Sequence, residues 1–266
     1  MLPNRFANRS RQSAGESLNP ACAPVIHIKE RNFEMLKKDL ILRNPLRLLG
    51  TESHEALPAG GFGAVLARAG VGKTALMVQL ALNSLLRDQN VLHISLNDPV
   101  RKVSLWYEEV FRHIAAQYDD VQIRRLRESI LTHRFIMTFQ AGGFSVPVLQ
   151  ERLTEFAEQG IFIPRMVLID GLPFDPSTHA MLLELKELAK SEDFHVWLSV
   201  RTHRRKNAAK QDLPAQFLPV ADLFEAAIAL MPEGNAIHIM ALKGGTRDSN
   251  QPILLLDPAS MLIKKA

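Results

Sequence analysis

The 266-residue chain has one cysteine and only two tyrosines and two tryptophans. A lone Cys22 excludes an intramolecular disulfide and any multi-cysteine metal site, and it takes no role. His113, His133, His195 and His238 lack ligand spacing to a neighbouring Cys or His, so no zinc site is expected. No apolar run reaches the roughly 18 to 20 residues that span a bilayer, and the chain's start lacks the apolar centre of a secretory signal. A cytoplasmic protein without membrane contact is therefore expected. A strong excess of one charge is also missing from the body. Residues 1–49 carry nine Lys/Arg against four Asp/Glu, a surplus larger than the net charge of +4 for the whole chain. The remainder is close to neutral, which argues against a protein-wide polyanion surface.

What is present falls into three parts. Residues 1–22, rich in Asn, Arg, Ser, Ala and Pro, cannot bury enough apolar surface to offset ordering and predict a disordered basic tail. Residues 23–56 form an N-terminal helical segment, with Phe33, Leu36, Leu40 and Ile41 near helical spacing over 30–42 and Pro45 closing it. From residue 57 to 266, short apolar runs alternate with longer helical stretches, the mark of βαβ units and a mainly parallel sheet flanked by helices. Strands are predicted at Ala64–Ala67, Val91–Leu96, Phe135–Phe139, Met166–Asp170, Val196–Val200, Ala226–Met231, Ile237–Leu242 and Ile253–Leu256. Helices are predicted at Lys73–Arg87, Arg101–Tyr118, Val121–Leu131, Val146–Glu158 and Thr178–Lys190. Glu233-Gly234-Asn235 predicts the turn of an antiparallel hairpin at the sheet's end.

Two motifs carry chemistry. The run AVLARAGVGKTALMVQLAL passes from an apolar strand through a glycine-bearing turn into an apolar helix. In that setting successive backbone N–H groups and a helix N-terminus cradle phosphates, the Lys reaches the outer phosphates and the hydroxyl residue ligates Mg²⁺. Those roles fall on Ala69, Gly70, Val71, Gly72, Lys73, Thr74 and Ala75, with ATP and Mg²⁺ as the expected ligands. The strict pattern begins with Gly where this chain has Ala67. About 100 residues downstream, MVLIDG ends in Asp170, a carboxylate at the sheet's carboxyl edge that can hold Mg²⁺ through water. An Asp-Gly turn closing a strand is the plain alternative.

In this order the motifs resemble the RecA-like branch of P-loop ATPases, which includes recombinases, KaiC-type proteins and replicative DNA helicases. The similarity spans roughly residues 57–256. VLHISLNDP resembles that branch's second strand, which usually ends in Ser-Leu-Glu; VWLSVRTHRR is similar to its sensor strand; and the hairpin ending ALKGG resembles one that projects a basic residue toward a neighbouring subunit's nucleotide. The resemblance implies a homo-oligomer, with Arg201 as a γ-phosphate sensor and Lys243 acting in trans. It also implies single-stranded DNA at the basic loop carrying Arg204, Arg205, Lys206 and Lys210, although that loop has no aromatic residue for stacking. One departure bears on turnover. The water-polarising glutamate of the family falls on Asn97, and a neutral amide cannot act as a general base. Asp98 is the nearest substitute carboxylate, or else a turn residue before Pro99.

Three readings follow: a working hydrolase using Lys73, Asp98, Arg201 and Lys243; an ATP-dependent oligomeric switch or interaction protein with little turnover; and a DNA-associated module using the basic loop.

Overall fold

Strand β1 (Phe62–Ala67) is buried along its whole length, and its side chains divide between two cores by simple alternation. Val65 and Ala67 join one, Phe62, Ala64 and Leu66 the other. A strand covered on both faces reads as a continuous apolar run, which is why this segment lacks the polar alternation of a half-exposed sheet. The computed structural model describes residues 34–41, 57–139, 142–175, 177–202, 213–244 and 253–266. The tail expected at 1–22, most of the segment 23–56, Cys22, Pro45 and the basic residues Arg204, Arg205, Lys206 and Lys210 lie outside the described residues.

A short helix α1 (34–41) precedes β1. Then follow α2 (Lys73–Leu85), β2 (Val91–Ser95), α3 (Val100–Ile114), α4 (Asp120–Leu131), β3 (Arg134–Thr138), α5 (Val146–Glu158), β4 (Met166–Asp170), α6 (Thr178–Ser191), β5 (His195–Arg201), a 3-10 turn (Leu218–Leu223), β6 (Ala226–Glu233), β7 (Ala236–Lys243), β8 (Leu254–Leu256) and β9 (Ile263–Lys265). Among the described residues the nine strands make one sheet in the order β3-β2-β4-β5-β1-β6-β7-β8-β9. Its first six strands pair parallel, and β6 to β9 pair antiparallel. The class is α/β with a mixed sheet. Residues of α1 to α4 share the core containing Val65 and Leu168, whereas α5, α6 and the 3-10 turn share the core containing Leu66 and Ile169. Helices thus cover both faces, and the parallel strands end together along one edge. Among the described residues no helix is long and apolar enough to cross a membrane.

Element existence follows the apolar pattern closely, and the differences have local causes. Helix α2 stops at Leu85 rather than Arg87, because Asp88 adopts φ 58° and the amides of Arg87, Asp88 and Gln89 turn back onto the carbonyls of Ser84 and Leu85. Helix α3 stops at Ile114 rather than Tyr118, with Tyr118 N closing a turn on Ala115 O. Strand β1 begins at Phe62 rather than Ala64. Gly63 belongs to it, paired in register with Trp197 and Ala226, and a Cβ there would meet the Trp197 indole at 2.5 Å. The 3-10 turn and β9 were not expected; the first is a six-residue LPVADL and the second a largely exposed Ile-Lys-Lys, neither long enough to show a period.

Candidate functional site

The turn between β1 and α2 is built from two glycines in left-handed conformation, Gly70 at φ 76° and Gly72 at φ 104°. A side chain at either position would be strained. At Gly70 a Cβ would meet nothing within 4 Å, so that glycine serves the backbone angle alone. At Gly72 it would also strike Leu256 Cδ2 at 2.7 Å. Gly72 stands at the N-cap of α2 with no side chain capping the helix, which leaves the leading amides of α2 without a side-chain acceptor. Val71 and Ala75 are buried beneath the turn, and Ala69 lines its open side.

Lys73 opens the helix and folds its ammonium back over the loop, donating to Ala67 O at 3.1 Å and Arg68 O at 3.0 Å. Burial pushes its pKa below the usual lysine value; the Asp170 carboxylate opposes that shift and the Arg201 guanidinium adds to it. An anion placed here would restore the favourable surroundings that the ammonium lacks.

Asp170 closes β4 in register with Ser95 on β2. Both of its oxygens are engaged: Oδ2 accepts from Thr74 Oγ1 at 2.7 Å, and Oδ1 accepts from Ser199 Oγ at 2.5 Å. Ser199, buried on β5, in turn accepts from Gly171 N at 2.9 Å. Ser199 was not among the residues expected from the sequence. The signal was available, because two-residue alternation along LSVR puts Ser199 on the same face as Arg201 at the same strand end.

Asn97 follows β2 and donates its amide to Gly171 O at 3.4 Å. Gly171 adopts φ 96°, and a Cβ there would lie 2.9 Å from Asn97 Cγ, so the glycine is what lets the two loops meet. Asp98 donates its N–H to Ser95 Oγ at 3.0 Å and accepts from Lys102 Nζ at 2.8 Å, one helical turn on. Its carboxylate borders the cleft but is held by α3.

Arg201 ends β5 opposite Ala67, with Thr202 N bonded to Ala67 O at 2.9 Å and Arg201 O accepting from Gln216 Nε2 at 2.7 Å. Lys73, Thr74, Asn97, Asp98, Asp170 and Arg201 all line one open cleft of 630 Å³. Its floor continues past Gly171 through Leu172, Pro173 and Phe174, which the sequence reading did not single out. Lys243 is not part of it: it ends β7 and donates to Ala221 O at 2.8 Å. Within one chain, then, Lys243 does not join the other candidate residues.

Among the described residues no group of three or more His, Cys, Asp or Glu gathers to hold a metal unaided. The Thr74 hydroxyl and the Asp170 carboxylate nonetheless form a pair of hard oxygen donors suited to Mg²⁺ when phosphate oxygens and water complete the shell. The chain matches no family model and no curated protein.

Proposed function

We propose that this chain is a RecA-like P-loop protein that binds Mg-ATP between β1 and α2 and hydrolyses it slowly. The observation that carries the reading is the convergence of Lys73, Thr74 and Asp170 on one cleft edge, with the Thr74–Asp170 bond at 2.7 Å joining two motifs 96 residues apart. In this arrangement the leading amides of α2 and Lys73 receive the phosphates. Thr74 and, through water, Asp170 would hold Mg²⁺, which would supply charge neutralisation at the phosphate oxygens. Arg201, which lines the same cleft, would meet the charge of the outer phosphate.

Slow turnover follows from the groups around the expected position of the attacking water. Asn97 is neutral and spends its amide on Gly171 O, and the Asp98 carboxylate is paired with Lys102. A missing general base is worth about 10² to 10⁴ in rate. The same observation favours a second reading, in which nucleotide occupancy rather than hydrolysis is the output and the chain works as an oligomeric switch.

Single-turnover hydrolysis with protein in excess over Mg-ATP tests this. Nucleotide that binds and is cleaved slowly in the wild type but not in Lys73→Ala supports the slow hydrolase, and nucleotide that binds and stays intact supports the switch. Rapid cleavage overturns the account of Asn97.

A further inference from the structure

Gln79 is an anomaly in α2. It is fully buried on a helix whose other inward residues are almost all apolar, and burying an amide is costly unless both ends are bonded. Both ends bond to one place, the backbone of the C-terminal hairpin formed by β8 and β9. Nε2 donates to Met261 O at 2.7 Å, with a longer contact to Ala75 O at 3.5 Å, and Oε1 accepts from Ile263 N at 3.3 Å. Met261, which supplies the first of those bonds, sits at φ 57°, a left-handed conformation that a non-glycine residue holds only when its surroundings over-determine it. The turn is fixed from its other side by Asp257, whose carboxylate accepts from Ser260 N at 3.0 Å, Ser260 Oγ at 2.7 Å and Lys264 Nζ at 2.8 Å.

The hairpin held in this way presses on the phosphate loop. Leu256 Cδ2 and Met261 Sδ lie 2.7 and 3.5 Å from where a Cβ of Gly72 would stand, and Val71 shares one apolar cluster with Leu256 and Ile263. We propose that Gln79 is a positioning residue: by clamping the hairpin over Gly72 it keeps the phosphate loop in its anion-binding shape. The functional half of this proposal rests on the Mg-ATP reading above. An apolar residue would have filled the same space; the amide instead specifies where Met261 and Ile263 sit, and so where Leu256 meets the loop.

The test is amide hydrogen exchange on the full chain without nucleotide, comparing wild type with Gln79→Met, together with Mg-ATP affinity measured on the same samples. Methionine keeps the volume and removes both bonds. Exchange over residues 68–76 is expected to rise about tenfold, the scale of two lost buried hydrogen bonds, and Mg-ATP affinity to fall by a similar factor. Gln79→Glu, protonated in that buried position, can both donate and accept, and is expected to return exchange toward wild type. If Gln79→Met does not fold, Leu256→Ala tests the same contact from the hairpin side and should loosen 68–76 in the same way. Faster exchange confined to 253–266, with 68–76 unchanged, overturns the proposal. Failure of the wild type to bind Mg-ATP overturns the functional reading instead, while exchange still decides whether the clamp sets the loop.

Discussion

Thr74 Oγ1 donates to Asp170 Oδ2 at 2.7 Å, tying the first turn of α2 to the end of β4 across the intervening strand β5. That bond sets the distance between the hydroxyl and the carboxylate that are expected to share a divalent ion. Asp170→Asn keeps the size of the side chain and removes its charge. Affinity for Mg-ATP should fall about 10- to 100-fold, the range for a lost charged partner, and addition of Mg²⁺ should no longer strengthen ATP binding. Titration of ATP with and without Mg²⁺ checks both.

Ser199 bridges Asp170 and Gly171 from β5 and holds the carboxylate from the side opposite Thr74. Ser199→Ala leaves the Gly171 amide without that acceptor and should cost about 1 to 3 kcal/mol in chemical denaturation. It should weaken Mg-ATP less than Asp170→Asn does. Equal losses in the two variants would mean that Ser199 itself contacts the ion.

Asn97 is exposed at the cleft and has room for a longer side chain. Asn97→Glu should raise single-turnover hydrolysis by about 10² or more, because a carboxylate replaces an amide that cannot take a proton. Asp98→Ala in the wild-type background shows whether residual turnover passes through Asp98. If Asn97→Glu is no faster than wild type, the water is activated elsewhere.

Stability should depend on pH through two buried imidazoles. Burial holds both His93 and His195 down at about 4; Arg134 adds to the shift at His93 against an opposing effect of Asp170, and Arg165 adds to it at His195. Between about pH 6.5 and 4 the unfolded chain therefore binds protons that the folded chain does not. The stability contributed by these neutral imidazoles is complete above pH 6.5 and is lost progressively as pH falls to about 4. Melting temperature measured across that window should decline, and His195→Gln should flatten the decline.

Much of this was legible in the sequence for a physical reason. The strands of a parallel sheet covered on both faces are mostly apolar, so β1, β2, β4 and β5 were placed within two residues at each end, and helix α5 at its observed bounds. The glycine-bearing turn between β1 and α2 was visible because Gly70 and Gly72 must adopt positive φ, and Asp170 because it interrupts an apolar strand at its end. The strand face of Ser199 was legible but its partner was not, and Gln79 showed neither, because one polar residue in an apolar run carries no partner information; their roles arise from residues 29 and more than 180 positions away in the chain. Lys243 shows the opposite limit. Its place at the end of a hairpin was expected, but it does not line the cleft that contains Lys73.

Equilibrium binding of Mg-ATP to the wild type beside Lys73→Ala bears most directly on the proposed phosphate loop. Saturable binding that drops at least about 100-fold in Lys73→Ala, as expected for removing a partly buried charge from an anion cradle, is the predicted result. Equal affinity in the two proteins, or no binding in either, would contradict it.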